Sequence, residues 1–210
     1  MNDREFAAAL RDRDAILILS HLRPDGDTLG SGAALCSALR RMGKTAYLFP
    51  NPETTARYLP YVAQFFAPAD FVPACVVAVD IATPNLFPQG FSGAVDLCID
   101  HHAGNSGYAD FTLLDGSAAA AAELLYEVIC AMGVAITPHI ADCLYTGLAT
   151  DTGCFRFSFT TANTHLVAAK LIEAGCHVEE LNTLLFDTKP RERMEAERIA
   201  RCLLYTSPSP

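Results

Sequence analysis

Residues 15–31 read AILILSHLRPDGDTLGS, and this stretch decides the fold. Ala15–Ser20 is a compact run of Ile and Leu, with charge before it and His21-x-x-Pro24-Asp25-Gly26-Asp27 after it. Such a run predicts a buried strand that ends in a loop. From Leu29 to Met42 apolar and small residues recur at helical spacing, and Gly43 stands where a helix stop belongs. TAYLF (45–49), ACVVAVD (74–80) and AVDLCID (94–100) repeat the apolar signature of the first run. Near-continuous apolar strands alternating with helical patterns imply an α/β fold whose mainly parallel sheet is covered by helices on both faces.

The second half reads as helical. SAAAAAELLYEVICAMG (117–133) has a Ser at its start, an Ala-rich body and a Gly stop. Pro138 opens another helix through about Ala149, followed by the loop TDTGCFRFS. Helices are also expected at 164–175 and 178–187, and from Arg191 onward.

Composition bounds the function. Of 210 residues, 51% are apolar and 19% charged, enough apolar surface to offset the ordering entropy of a folded chain. No apolar stretch approaches the ~20 residues that span a bilayer. The first residues are charged and amphipathic rather than signal-like, so a cytoplasmic location and no membrane partner are expected. A net charge of -9 argues against loose binding to a nucleic-acid backbone, yet bound divalent cations can invert a local field and admit a phosphate. Eight cysteines contain no CxxC pair, which excludes a zinc ribbon and marks nearly all of them as small buried hydrophobes.

In open parallel sheets the site lies beyond the carboxyl ends of the strands. His21, Asp25 and Asp27, then Asp80, then Asp100-His101-His102 all follow such ends, and Asp151 lies in ATDTGCFRFS. An Asp-Gly turn or a strand-terminal cap would explain any one of these alone. Asp25 and Asp27, two apart on an extended loop, point to different sides, and so do adjacent His101 and His102. Arg156 is the candidate phosphate clamp, because a guanidinium fork binds phosphate oxygens in pairs. His139, His165 and His177 lack suitable acidic neighbours and read as structural or surface residues. Four Asp with one or two His form an oxygen-rich set, suited to two Mn²⁺ or Mg²⁺ ions rather than to zinc. Such a pair of ions clamps a phosphoryl group, with Asp80 the natural bridge.

HLRPDGDTLGS, the Asp after CVVAV, IDHH and TGLATDTGCFRFS resemble, in order, the four motifs of the DHH phosphoesterase superfamily, over about residues 15–188. The PDGD-x-x-GS form is most similar to its NrnA-like branch, whose members degrade short oligoribonucleotides and remove the 3′-phosphate of 3′-phosphoadenosine 5′-phosphate. The resemblance implies that His21, Asp25 and Asp80 bind one metal, and Asp27, Asp80, His101 and Asp151 the other. It implies two divalent cations, Mn²⁺ ahead of Mg²⁺. His102 would contact the scissile phosphate or assist the leaving group, with Asp100 orienting the His pair. The substrate would be a short single-stranded RNA or a mononucleotide, and the assembly a homodimer. Inorganic pyrophosphatase or cyclic- and linear-dinucleotide phosphodiesterase are the alternatives within the superfamily, and a catalytically silent metal-binding module the alternative outside catalysis. Family members continue into a Gly-rich, His-containing DHHA1 domain, and its motif does not occur here. The expected layout is a DHH domain at 1–188, a connector helix starting at 189–201, and an atypical tail at 202–210 ending in SPSP, read as non-native with a natural polar tail as the alternative.

Overall fold

The computed structural model describes residues 1–188 and 191–206. Its centre is a five-stranded, wholly parallel sheet in the order β2-β1-β3-β4-β5. The strands are β1 (Ile16–Leu19), β2 (Ala46–Leu48), β3 (Cys75–Val79), β4 (Leu97–Asp100) and β5 (Phe111–Leu114). The chain starts in the middle, steps outward to β2, then crosses to the other side of β1 for β3. That reversal opens a crevice at the carboxyl ends of β1 and β3, the place where sheets of this kind bind ligands.

Eight α-helices are found among the described residues: α1 (Asp3–Arg11), α2 (Gly26–Arg41), α3 (Leu59–Val62), α4 (Ala121–Ala131), α5 (Pro138–Asp151), α6 (Ala162–Glu173), α7 (Val178–Asn182) and α8 (Arg191–Thr206). A π-helical turn, Thr183–Asp187, continues α7. One core runs along the sheet face covered by α1, α2, α4 and α5, and a smaller cluster around Leu19, Ala78, Ile81 and Cys98 covers the other face. None of the described helices is long and apolar enough to cross a membrane.

Several elements depart from expectation. The helix expected from Leu29 begins at Gly26, because Asp25 caps it and accepts from the backbone N–H groups of Asp27 (3.0 Å) and Thr28 (3.2 Å). Asp27 is therefore inside the first helical turn, not on an extended loop. Strand β5 is not among the expected strands, because only Leu113 of its four residues is buried and the run shows no alternation. Ser117 does not cap α4. It turns back to the Asp115 carboxylate through its N–H (2.8 Å) and hydroxyl (2.6 Å), and the helix begins four residues later at Ala121. Of the eight cysteines only Cys36, Cys75, Cys98 and Cys143 are buried. The SPSP ending, residues 207–210, lies outside the described residues.

Helices α2 and α5 cross at close range, and glycine makes the crossing possible. A Cβ on Gly30 would stand 2.3 Å from the Cys143 carbonyl oxygen, and one on Gly147 would stand 2.6 Å from Asp27 Oδ1. Overpacking a tight core costs about 1–3 kcal/mol. Gly30→Ala should lower unfolding stability by that amount in urea titrations, since the obstruction is backbone and cannot rotate away. Wild-type stability in this variant would show that the two helices separate freely.

Candidate metal centre

The site is assembled by five segments that meet at the crevice. His21 follows β1, and its backbone N–H donates to Thr28 Oγ1 (3.2 Å), while the Thr28 hydroxyl donates to the Val79 carbonyl (2.8 Å). Asn51 adds a second brace, its amide donating to Ser20 Oγ (3.1 Å) and to the His21 carbonyl (2.8 Å). Asp25 is the α2 cap, Asp80 follows β3, and Asp151 ends α5. Asp100 is the last residue of β4, with His101 and His102 directly after it.

Asp80 is the pivot. Its N–H keeps the ladder going by donating to the Ile99 carbonyl (2.9 Å), yet its backbone adopts φ +60, the left-handed region that costs a side-chain-bearing residue free energy. The turn aims the carboxylate across the crevice. Oδ2 stands 3.7 Å from His21 Nε2, which is itself 3.5 Å from Asp25 Oδ1. Oδ1 stands 3.4 Å from His101 Nε2, which is 3.2 Å from Asp151 Oδ2 and 3.9 Å from Asp27 Oδ2. Neighbouring ligands around an ion with ~2.1 Å bonds sit about 3 Å apart, close to these separations.

Three donor groups result, each with its ligand atoms within 4.8 Å of one another: His21-Asp25-Asp80, Asp27-His101-Asp151 and Asp80-His101-His102. Two atoms at their junction, Asp80 Oδ1 and His101 Nε2, are buried without a hydrogen-bond partner. Leaving such groups unpaired is costly, and a cation between them would satisfy both. The donor set therefore fits a divalent ion.

The electrostatics agree. Burial pushes the Asp27 carboxyl well above the usual range, and the Asp80 and Asp151 carboxylates push it further. Asp80 is raised as well, by burial first, against the opposing pull of His101. Burial works against charge on His101, but the Asp151 and Asp80 carboxylates outweigh it and push its pKa up to about 11. Asp25 is lowered, because His21 and the helix amides it caps outweigh its burial.

The two adjacent histidines do not face opposite ways. Their rings lie 4.5 Å apart and both meet Asp80, with His102 Nδ1 3.4 Å from Oδ1. Their supports differ. His101 Nδ1 is 3.2 Å from the Ala118 carbonyl, which leaves Nε2 for the donor groups. His102 Nδ1 is 2.8 Å from Asp100 Oδ1, and Asn105 donates to Asp100 Oδ2 at 2.6 Å. Asp100 thus orients His102 rather than the pair.

A cleft of about 500 Å³ opens over these groups, lined by His21, Leu22, Arg23, Asp25, Asp80, Leu86, His102 and Asp151. Arg156 does not line it: this side chain is exposed and its Nε donates to the Gly153 carbonyl at 2.6 Å. The guanidinium that does line it belongs to Arg23. Its signal in the sequence is its place between His21 and Asp25, since a loop that delivers two ligands also delivers the residues between them. Asn105, four residues after His101, is a further functional side chain that the motif pattern does not announce. His139, His165 and His177 lie elsewhere, beside Phe65, Phe155 and Asp142 respectively. A larger cavity of about 670 Å³, between α1, β5 and α6, is lined by none of the donors.

The family described as "DHH family, N-terminal domain" matches residues 15–148. A relative from Thermus thermophilus, "Bifunctional oligoribonuclease and PAP phosphatase NrnA", is 37% identical over 81% of this chain and 53% of its own length. A "Probable manganese-dependent inorganic pyrophosphatase" from Lactococcus lactis is 30% identical over 80% of this chain and 58% of its own. The chain thus spans a little over half of these relatives. Among solved structures, an exopolyphosphatase-related protein from Bacteroides fragilis superposes with TM-score 0.82, at 21% identity, over 97% of this chain and 64% of that one, a likeness of fold.

Titration with Mn²⁺ should find two ions per chain and a rise in melting temperature that grows with free metal. Asp80→Asn should lose both ions, because the His21 and His101 sides of the site then no longer share a carboxylate. A single ion of unchanged affinity in Asp80→Asn would overturn the bridging geometry. The His101 pKa, pushed up to about 11 by the carboxylates around it, means that its imidazole carries an extra proton in the metal-free site near neutral pH. Binding must displace that proton, so affinity should rise with pH between about 6 and 8. Calorimetry in buffers of different ionisation enthalpy reads the released protons, and pH-independent affinity would contradict the assignment.

Proposed function

Because the chain belongs to the DHH family, we propose that it is a two-metal phosphoesterase of the NrnA-like type. Its substrates in this reading are short oligoribonucleotides and the 3′-phosphate of 3′-phosphoadenosine 5′-phosphate, as the name of the Thermus relative suggests. The observation that carries the reading is the Asp80 carboxylate, whose two oxygens face two separate donor groups. His21, Asp25 and Asp80 would hold one divalent ion, and Asp27, Asp80, His101 and Asp151 the other. Manganese is favoured over magnesium by the imidazoles in the set and by the manganese in the name of the Lactococcus relative. When bound, the ions supply Lewis-acid activation of the phosphoryl group and the attacking water.

The chain's own residues do the rest. Asp100 accepts from His102 Nδ1, which turns the opposite edge of the ring to the substrate. The Asp100 hydrogen bond also favours the protonated imidazole over burial's opposing effect, which suits a proton donor to the leaving oxygen. Asn105 locks Asp100, so the imidazole is held before substrate arrives. Residues 1–188 form the DHH domain in this reading, with the connector helix beginning at 189–201. A cytoplasmic homodimer is part of the same proposal.

The pyrophosphatase alternative draws on the name of the Lactococcus relative. An assay with Mn²⁺ against 3′-phosphoadenosine 5′-phosphate, a five-nucleotide RNA, pyrophosphate, linear diguanylate and bis-p-nitrophenyl phosphate separates the readings. Nucleotide 3′-phosphate and RNA turnover should exceed pyrophosphate turnover. His102→Ala should keep its metal content and lose ~10²- to 10⁴-fold in rate. A Mn²⁺-loaded chain that releases nothing from any of the five, bis-p-nitrophenyl phosphate included, would leave only the silent metal-binding module.

A further inference from the structure

Arg23 is an exposed side chain on the cleft wall, two residues from Asp25. Among the described residues it makes no hydrogen bond or ion pair, although the cleft it lines is otherwise acidic or imidazole-bearing apart from two leucines. Its backbone is restrained. The residue before a proline is held extended, and Pro24 follows. The neighbouring Leu22 N–H donates to the Leu86 carbonyl at 2.7 Å, which ties this loop to the turn after β3. A charged fork is thus presented on a braced loop with nothing of the protein to bind.

Depth separates this group from the metal donors. Asp80 is 3% exposed at the floor, whereas Arg23 stands at the open rim with Leu22 and the 41%-exposed Leu86. A cleft of about 500 Å³ holds a small molecule rather than a lone phosphoryl group. A ligand that reaches from floor to rim needs one anion at each end and a less polar middle against the two leucines. Resting on the phosphoesterase reading above, we propose that Arg23 anchors the second, non-reacting phosphate of a nucleotide that carries two, while its reacting phosphate lies over Asp80. A nucleoside 3′,5′-bisphosphate and the terminal dinucleotide unit of a short RNA share that chemistry. Arg23 is then a specificity residue: it binds a part of the substrate where no bond changes.

The test compares adenosine 3′,5′-bisphosphate with adenosine 3′-monophosphate by calorimetry on the Mn²⁺-loaded chain, in a His102→Ala background that slows turnover. With Arg23 present, the bisphosphate should bind at least tenfold more tightly. Arg23→Ala should bring the two within twofold while leaving the monophosphate affinity unmoved. Arg23→Lys should keep part of the preference, since an ammonium retains the charge without the fork. A preference that survives in Arg23→Ala overturns the proposal, and so does equal weakening of both ligands, which would place the guanidinium on the reacting phosphate. In either case, Mn²⁺-dependent hydrolysis of bis-p-nitrophenyl phosphate by the wild-type chain leaves the phosphoesterase reading standing. If the loaded chain binds neither nucleotide and hydrolyses no phosphodiester, that reading falls and this proposal with it. The RNA arm uses a 5′-phosphorylated and a 5′-hydroxyl dinucleotide, and a preference for the first in the same variants assigns the subsite to RNA as well.

Discussion

Everything in the site depends on keeping one carboxylate, Asp27, at zero exposure. An isolated buried charge is expensive, and the protein offsets it with three donors: the N–H groups of Ala121 (2.6 Å) and Ala122 (3.0 Å) and the Ser31 hydroxyl (3.0 Å). The first two are free amides at the start of α4, where the helix dipole also favours an anion. The same carboxylate closes against Gly147 of α5, so α2, α4 and α5 meet at a single side chain. This explains why α4 has no polar cap of its own: Ala120 occupies the cap position, and Asp27 satisfies the first amides from another helix. It also explains the small residues of the crossing. A larger side chain at 30 or 147 would force α5 away from α2 and carry Asp151 away from His101.

Asp80 is held by a different device. Backbone strain at φ +60 is tolerated because the residue is fixed on both sides, by the β3 ladder before it and by the Asp80-to-Ile99 bond beneath it. With the turn fixed, the carboxylate reaches both sets of donors at once. The buried and unpaired Asp80 Oδ1 and His101 Nε2 are the consequence of that arrangement. They stand 3.4 Å apart and make sense as ligand atoms held ready for a cation that satisfies both.

Much of this is legible in the amino-acid sequence. Apolar runs at 16–19, 75–79 and 97–99 mark strands because they are short, rich in Ile, Val and Leu, and bounded by turn signals. Polar residues directly after such runs converge, because parallel strands place their carboxyl ends at one edge. The readings that fail do so where tertiary contacts override local pattern. Asp25-Gly26 looks like a turn, yet Asp25 caps a helix whose first turn is covered by α4 and α5. Strand β5 buries a single side chain, so neither alternation nor an apolar run announces it. Arg156 has the right chemistry but sits on the outer side of its loop, a matter of direction that residue type does not encode.

Net acidity and a phosphate ligand look incompatible until the two are placed at different depths of one cleft. The donor side chains carry negative charge or imidazole, and without cations their summed field repels an anion. In the proposed reading two divalent ions held there would add four positive charges to the floor and invert the local sign, while the chain as a whole stays acidic. A net charge of -9 then disfavours long, nonspecific contact with a polyanion, because the salt-dependent backbone term that drives such binding calls for basic residues. What remains attractive is a small anion able to enter far enough to meet the floor. In the proposed phosphoesterase reading, selection for short substrates arises from charge placement in this one domain, with Arg23 the guanidinium of the cleft wall.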